Sequence, residues 1–208
     1  MNNHRPTTTI DFFGMYLAHD ACMRDLIRLT AAVSEDRLGE PSVRVGWETF
    51  RRQLDRHHST EDAALWPLVR AAITDPADLA ILDEMESEHE GLDDLLTRVE
   101  AGIAGAGGDL RSDVDELAAA LDTHFTHEEQ VALPLIDRTV GGPGWAAFGA
   151  EMRKRNGLGA VTEYLPWALD AAPADAQAKM LAFLPAPIRT LYRFVLKPNY
   201  ARPRKGWQ

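Results

Sequence analysis

HHSTEDAALWPLV at residues 57–69 and HFTHEEQVALPLI at residues 124–136 decide how this chain is read. Placed under one another, they align His57 with His124, Glu61 with Glu128, Pro67 with Pro134, Leu68 with Leu135 and Val69 with Ile136. That many matches at fixed spacing mark an internal repeat. Each copy puts a glutamate four residues after a histidine. On a helix such a pair is separated by about 6 Å along the axis and about 40° around it, so both side chains can converge on one point.

The neighbouring apolar residues show which way these faces point. Phe50, Leu54, Leu65 and Leu68 fall on the His57–Glu61 face, and Leu117, Leu121, Val131 and Leu135 fall on the His124–Glu128 face. Two further apolar stripes carry a histidine each. Phe12, Met15, Tyr16, Cys22, Met23 and Leu26 surround His19, while Leu82, Met85, Leu92 and Leu96 surround His89. A buried carboxylate without a partner is very costly, so a glutamate amid an apolar stripe demands a cation, a proton or a hydrogen bond. Two of them, each one turn from a histidine, favour the cation.

Helical periodicity dominates the chain and alternating β-branched runs are nearly absent, which predicts an all-α fold. Four long helical segments are expected at about 8–33, 43–73, 77–104 and 109–140. Turn-forming residues separate them: Gly39 and Pro41, then Thr74-Asp75-Pro76, then Gly105 with Gly107-Gly108-Asp109. Gly141-Gly142-Pro143-Gly144 is expected to close the fourth. Short connections between long helices predict an up-down-up-down four-helix bundle over residues 1–144. Residues 145–208, interrupted by Pro166, Pro173, Pro185, Pro187 and Pro198, are expected to form a C-terminal helical extension that packs on the bundle.

In such a bundle the second and fourth helices lie on a diagonal and run the same way, which places Glu61 and Glu128 at one depth. The expected metal ligands are His19, His57, Glu61, His89, His124 and Glu128. His58 lies about 100° around the helix from His57 and His127 about 60° from His124, so both are expected behind the ligands or facing solvent. Pro67 and Pro134 stand where a buried helix would kink. Mixed imidazole and carboxylate ligation suits iron, manganese or zinc, and imidazole-rich ligation with open positions favours redox-active iron.

Bulk properties narrow the function classes. With 208 residues, 45% of them apolar, the chain can bury a core. A net charge of −10 argues against general nucleic-acid binding, although residues 145–208 carry 10 Lys/Arg against 4 Asp/Glu. A lone Cys22, no apolar leader and no run of roughly 18 apolar residues lead to the expectation of a cytoplasmic protein without a transmembrane segment.

The pattern of His19, then His57-x-x-x-Glu61, then His89, then His124-x-x-x-Glu128 resembles the hemerythrin-like, or HHE cation-binding, family over about residues 8–140. The resemblance implies two iron ions with an oxo or hydroxo bridge, held between bridging carboxylates, with an open position for a small ligand such as dioxygen. One position departs from the oxygen-carrying members, which have a second histidine four residues after the third-helix one. Here that residue is Asp93, which implies turnover or sensing over reversible carriage, with Glu86, Asp93, His58, Tyr16 or water completing the coordination. The expected function is therefore a di-iron protein that reacts with or senses dioxygen, nitric oxide or peroxide, with catalase-like peroxide disproportionation as its enzymatic form. The alternative is an iron or oxygen sensor, or a zinc-stabilised structural bundle, acting through a protein partner.

Overall fold

The computed structural model describes residues 5–207, apart from the side chains at 156 and 158–161, and all regular structure among them is helical. The helices are α1 (Phe13–Ser34), α2 (Pro41–Thr60), α3 (Trp66–Arg70), α4 (Pro76–Ile103), α5 (Leu110–His127), α6 (Leu133–Thr139), α7 (Gly141–Ala168, broken by a kink at Gly157, where φ is +63°), α8 (Ala174–Ala182), α9 (Ala186–Leu191) and α10 (Lys197–Ala201). Among the described residues no helix is long and apolar enough to cross a membrane.

Local chemistry sets most boundaries. Asp75 accepts the Ala77 N–H with Pro76 opening α4, and Asp109 accepts the Ser112 N–H at the start of α5. The first helix begins at Phe13, later than the sequence pattern suggests. The Asp137 carboxylate takes the N–H of Thr9 at 2.9 Å, its hydroxyl at 2.6 Å and the N–H of Ile10 at 2.9 Å, so these donors leave the helical ladder. Gly141-Gly142-Pro143-Gly144, expected only to close a helix, also opens the next. Gly141 turns the chain at φ +56°, and Pro143 falls in the first turn of α7, where its missing N–H leaves no ladder bond unmade.

Each copy of the repeat contains one π-turn. Residues Glu61–Leu65 join α2 to α3, and Glu128–Ala132 join α5 to α6. Pro67 and Pro134 are the physical cause, because a proline donates no N–H and its ring collides with the carbonyl four residues back. The ladder slips by one residue, so that the N–H of Trp66 reaches the carbonyl of Glu61 and that of Leu133 reaches Glu128. Pro198 does the same to Tyr192–Leu196, where the N–H of Lys197 reaches Tyr192. The additional residue rotates the turn that follows. Val131, expected on the buried face, is 36% exposed and Leu68 is only half-buried, while Val69, Ala132, Leu133 and Ile136 take the core positions.

The chain divides into two compact units, Met1–Phe13 with Leu54–Arg155, and Gly14–Gln53 with Asn156–Gln208. In the first unit α4 packs along α5, and Leu82, Met85, Leu96, Val114, Leu117 and Leu121 fill the space between them. Trp145 meets Phe12 edge-on at 4.8 Å in the same unit.

The second unit is tied by buried polar contacts. Asp25, 1% exposed, accepts the indole N–H of Trp167 at 2.8 Å and pairs with Arg24 and Arg28. Arg24 also donates to the Trp167 and Asp170 carbonyls at the end of α7, satisfying acceptors that a helix end leaves open. Trp207 lies flat on α2 at Gly46, where a β-carbon would stand 2.2 Å from the indole. Glycine is required there by close approach alone.

Candidate metal centre

Five of the six expected ligands lie in the first unit. The repeat carries His57 and Glu61 on α2 and its π-turn, and His124 and Glu128 on α5 and its π-turn, while α4 contributes His89. Glu61 is 1%, His89 5%, His124 1% and Glu128 0% exposed. The sixth, His19, is buried on α1.

Glu61 stands between imidazoles. Its Oε1 lies 3.3 Å from His57 Nε2 and its Oε2 lies 3.8 Å from His89 Nε2. Among the described residues neither carboxylate oxygen has a hydrogen-bond partner, nor has the inward Nε2 of His89 or of His124. His57 and Glu128 bring ligand atoms within 4.8 Å of each other. Burial first, and then the charges of Glu128 and Asp62, push Glu61 well above the usual carboxylate range. A core that drives a carboxylate toward its neutral form, and leaves two imidazole nitrogens with nothing to bond, lacks a positive charge that a cation would supply.

The outer ring nitrogens are held by carboxylates. Asp62 lies 2.7 Å from His89 Nδ1, and Glu88 lies 2.8 Å from His124 Nδ1 and 2.7 Å from His127 Nδ1. Burial would raise Glu88, but the hydrogen bonds from His124 and His127 outweigh it and keep Glu88 ionised. An ionised carboxylate only accepts, so the proton of His124 sits on Nδ1 and Nε2 presents its lone pair to the core. Burial pushes the His124 imidazole below its ordinary pKa, against the pull of Glu88, which also favours the neutral ring. Carboxylate behind imidazole is the arrangement that orients metal-ligating histidines.

Asp62 and Glu88 escape the sequence reading because each supports a histidine on another helix, which spacing within one helix cannot report. The available signal is thin: each directly follows or precedes a ligand, Glu61 or His89, in the chain. For His58, expected behind the ligands or facing solvent and offered as a completing ligand, only the solvent-facing alternative fails. It is not solvent-facing but 7% exposed, with its ring stacked on His89 at 4.0 Å and a tilt of 13°. His127 is half-buried and bonded through Glu88, behind His124 as expected. Glu86 instead pairs with Arg70 at 3.1 Å on the surface and Asp93 is exposed, so neither joins the cluster. Tyr16 is half-buried on α1.

The family described as hemerythrin HHE cation binding domain matches residues 14–136, more than half of the chain. The chain belongs to the hemerythrin HHE cation-binding family. No curated protein and no solved structure matches it. The matched span of this HHE domain ends on Ile136, the last residue of the second repeat copy, and contains every residue of the histidine and glutamate cluster described above.

Proposed function

We propose that this HHE protein is a non-haem di-iron protein that reacts with or senses a small oxidant, namely dioxygen, nitric oxide or peroxide. The observation that carries the proposal is the set of buried atoms of Glu61, His89 and His124 that have no hydrogen-bond partner, backed by Asp62 and Glu88 on the outer nitrogens. In this proposal His19, His57, Glu61, His89, His124 and Glu128 hold two irons with an oxo or hydroxo bridge, inside an up-down-up-down bundle of the four long helical segments. His19 enters on the sequence pattern.

When bound, an iron pair supplies one-electron steps and open positions for a small ligand. The chain supplies the remainder. Glu61 offers one oxygen toward His57 and the other toward His89, the disposition of a carboxylate that spans two cations. Asp62 and Glu88 fix the imidazole tautomers, and Phe125 gives the cluster an apolar neighbour, its ring 5.5 Å from that of His124 and 6.1 Å from that of His57. Mixed carboxylate and imidazole ligation suits redox-active iron, and open positions on it suit a small oxidant.

The test is the response of iron-loaded protein to hydrogen peroxide, followed by an oxygen electrode and by the near-ultraviolet spectrum. Oxygen release that disappears in Glu61→Ala supports catalase-like turnover. Spectral change without oxygen release favours sensing. A protein that neither releases oxygen nor changes its spectrum contradicts both.

A further inference from the structure

His58 lies outside the His, HxxxE, His, HxxxE pattern, yet the fold puts it at the heart of the cluster. His58, His89 and His124 each offer a ring nitrogen, and all three nitrogens lie within 4.8 Å of one another. His58 stacks on His89 at 4.0 Å and meets His124 edge-on at 5.1 Å, while His89 and His124 meet at 4.8 Å. Three imidazoles from α2, α4 and α5, all under 9% exposed, converge from three sides.

Helix geometry explains how neighbouring residues can both face inward. Glu61 is three residues after His58 and four after His57, and both spacings share a helix face with it. The two histidines therefore flank Glu61, one on each side of the face. His57 approaches Glu61 Oε1 at 3.3 Å. Oε2 lies 3.8 Å from Nε2 of His89, the ring on which His58 stacks.

We infer that His58 is a metal ligand of this chain, joining His89 and His124 in a three-imidazole position beside Glu61. The inference rests on the metal-binding function proposed above. It adds a ligand at a position outside the family pattern. A core histidine kept for packing would stack on His89 equally well, but it has no reason to bring its nitrogen within 4.8 Å of the nitrogens of two other histidines.

The experiment uses the full chain, freed of metal and reloaded with ferrous iron without oxygen, and counts iron per chain after desalting. Wild-type protein is expected to hold about two irons and His58→Ala about one, with the near-ultraviolet bands altered to match. Free imidazole added to His58→Ala should enter the vacated volume and restore the second iron. Asp93→Ala should hold about two, because its side chain is exposed. If the alanine variant does not fold by circular dichroism, His58→Gln, which keeps volume and polarity, carries the same expectation. His58→Ala or His58→Gln with both irons and an unchanged spectrum overturns the assignment, as does loss of an iron in Asp93→Ala alone. Wild-type protein that takes up no iron overturns the proposed function together with the assignment.

Discussion

Removing Glu88 separates the support of the cluster from the cluster itself. Its two oxygens accept from Nδ1 of His124 at 2.8 Å and of His127 at 2.7 Å. In Glu88→Ala, water can replace the acceptor at His127, whose side chain is 23% exposed, but not at His124, whose side chain is 1% exposed. His124 then either keeps a buried N–H with no acceptor, at about 1–3 kcal/mol, or moves its proton to Nε2 and loses the lone pair that faces the core. Losing such support typically weakens metal binding about 10- to 100-fold, or about 1.4–2.7 kcal/mol. Asp62→Ala should cost less, because the Asp62 side chain is 44% exposed and water competes for its bond to His89 already. Glu88→Gln should lose less than the alanine variant, since its amide oxygen can still accept from His124 while water serves His127. Competition of ferrous or cobaltous ion against a chromophoric chelator measures all three. Affinity in Glu88→Ala within twofold of wild type, or a larger loss in Asp62→Ala, would refute the reasoning.

Gly46→Ala places a β-carbon 2.2 Å from the Trp207 indole and must expel it. Exposing that tryptophan forfeits about 4–5 kcal/mol of apolar burial, against about 1 kcal/mol gained in helix propensity, so a net loss of about 3 kcal/mol should appear in denaturant unfolding. In metal-free protein the raised pKa of Glu61 gives stability that is fully present below about pH 4.3 and is lost as the pH rises through the folded value, so the melting temperature should fall on going from mild acid to neutral. Glu61→Gln should flatten that slope, and a slope unchanged by the substitution would count against the burial of its charge. The hydrogen bonds from Thr9 hold Asp137 below its ordinary pKa, so their contribution is present above about pH 3.9 and fades as the pH falls through the folded value. Asp137→Ala at neutral pH should expose the segment before Phe13 to limited proteolysis at sites that are protected in wild type.

What the sequence reveals is what a helix determines by itself. His57 with Glu61, and His124 with Glu128, are local pairs whose shared face follows from the helical repeat, so their convergence is legible at once. The all-helical fold and the helix starts at Asp75-Pro76 and Asp109 are legible for the same reason. The register after each glutamate is not. Pro67 and Pro134 suggest a kink, but the chain responds with a π-turn whose additional residue moves Val131 out of the core and Ile136 into it. The place of His58 stays open in the sequence because the periodic pattern assigns one central residue per turn, whereas a cluster surrounded by α2, α4 and α5 can receive side chains from both flanks of a face. Asp62 and Glu88 are hidden because their partners lie on other helices.

The most direct measurement is the iron content of full-length protein after anaerobic reconstitution, determined side by side for wild type and Glu61→Ala by elemental analysis with the visible spectrum recorded on the same samples. A buried carboxylate placed between His57 and His89 predicts about two irons per wild-type chain and about one or none in the variant. Equal iron in both proteins, or none in wild type, would contradict a metal centre built on Glu61.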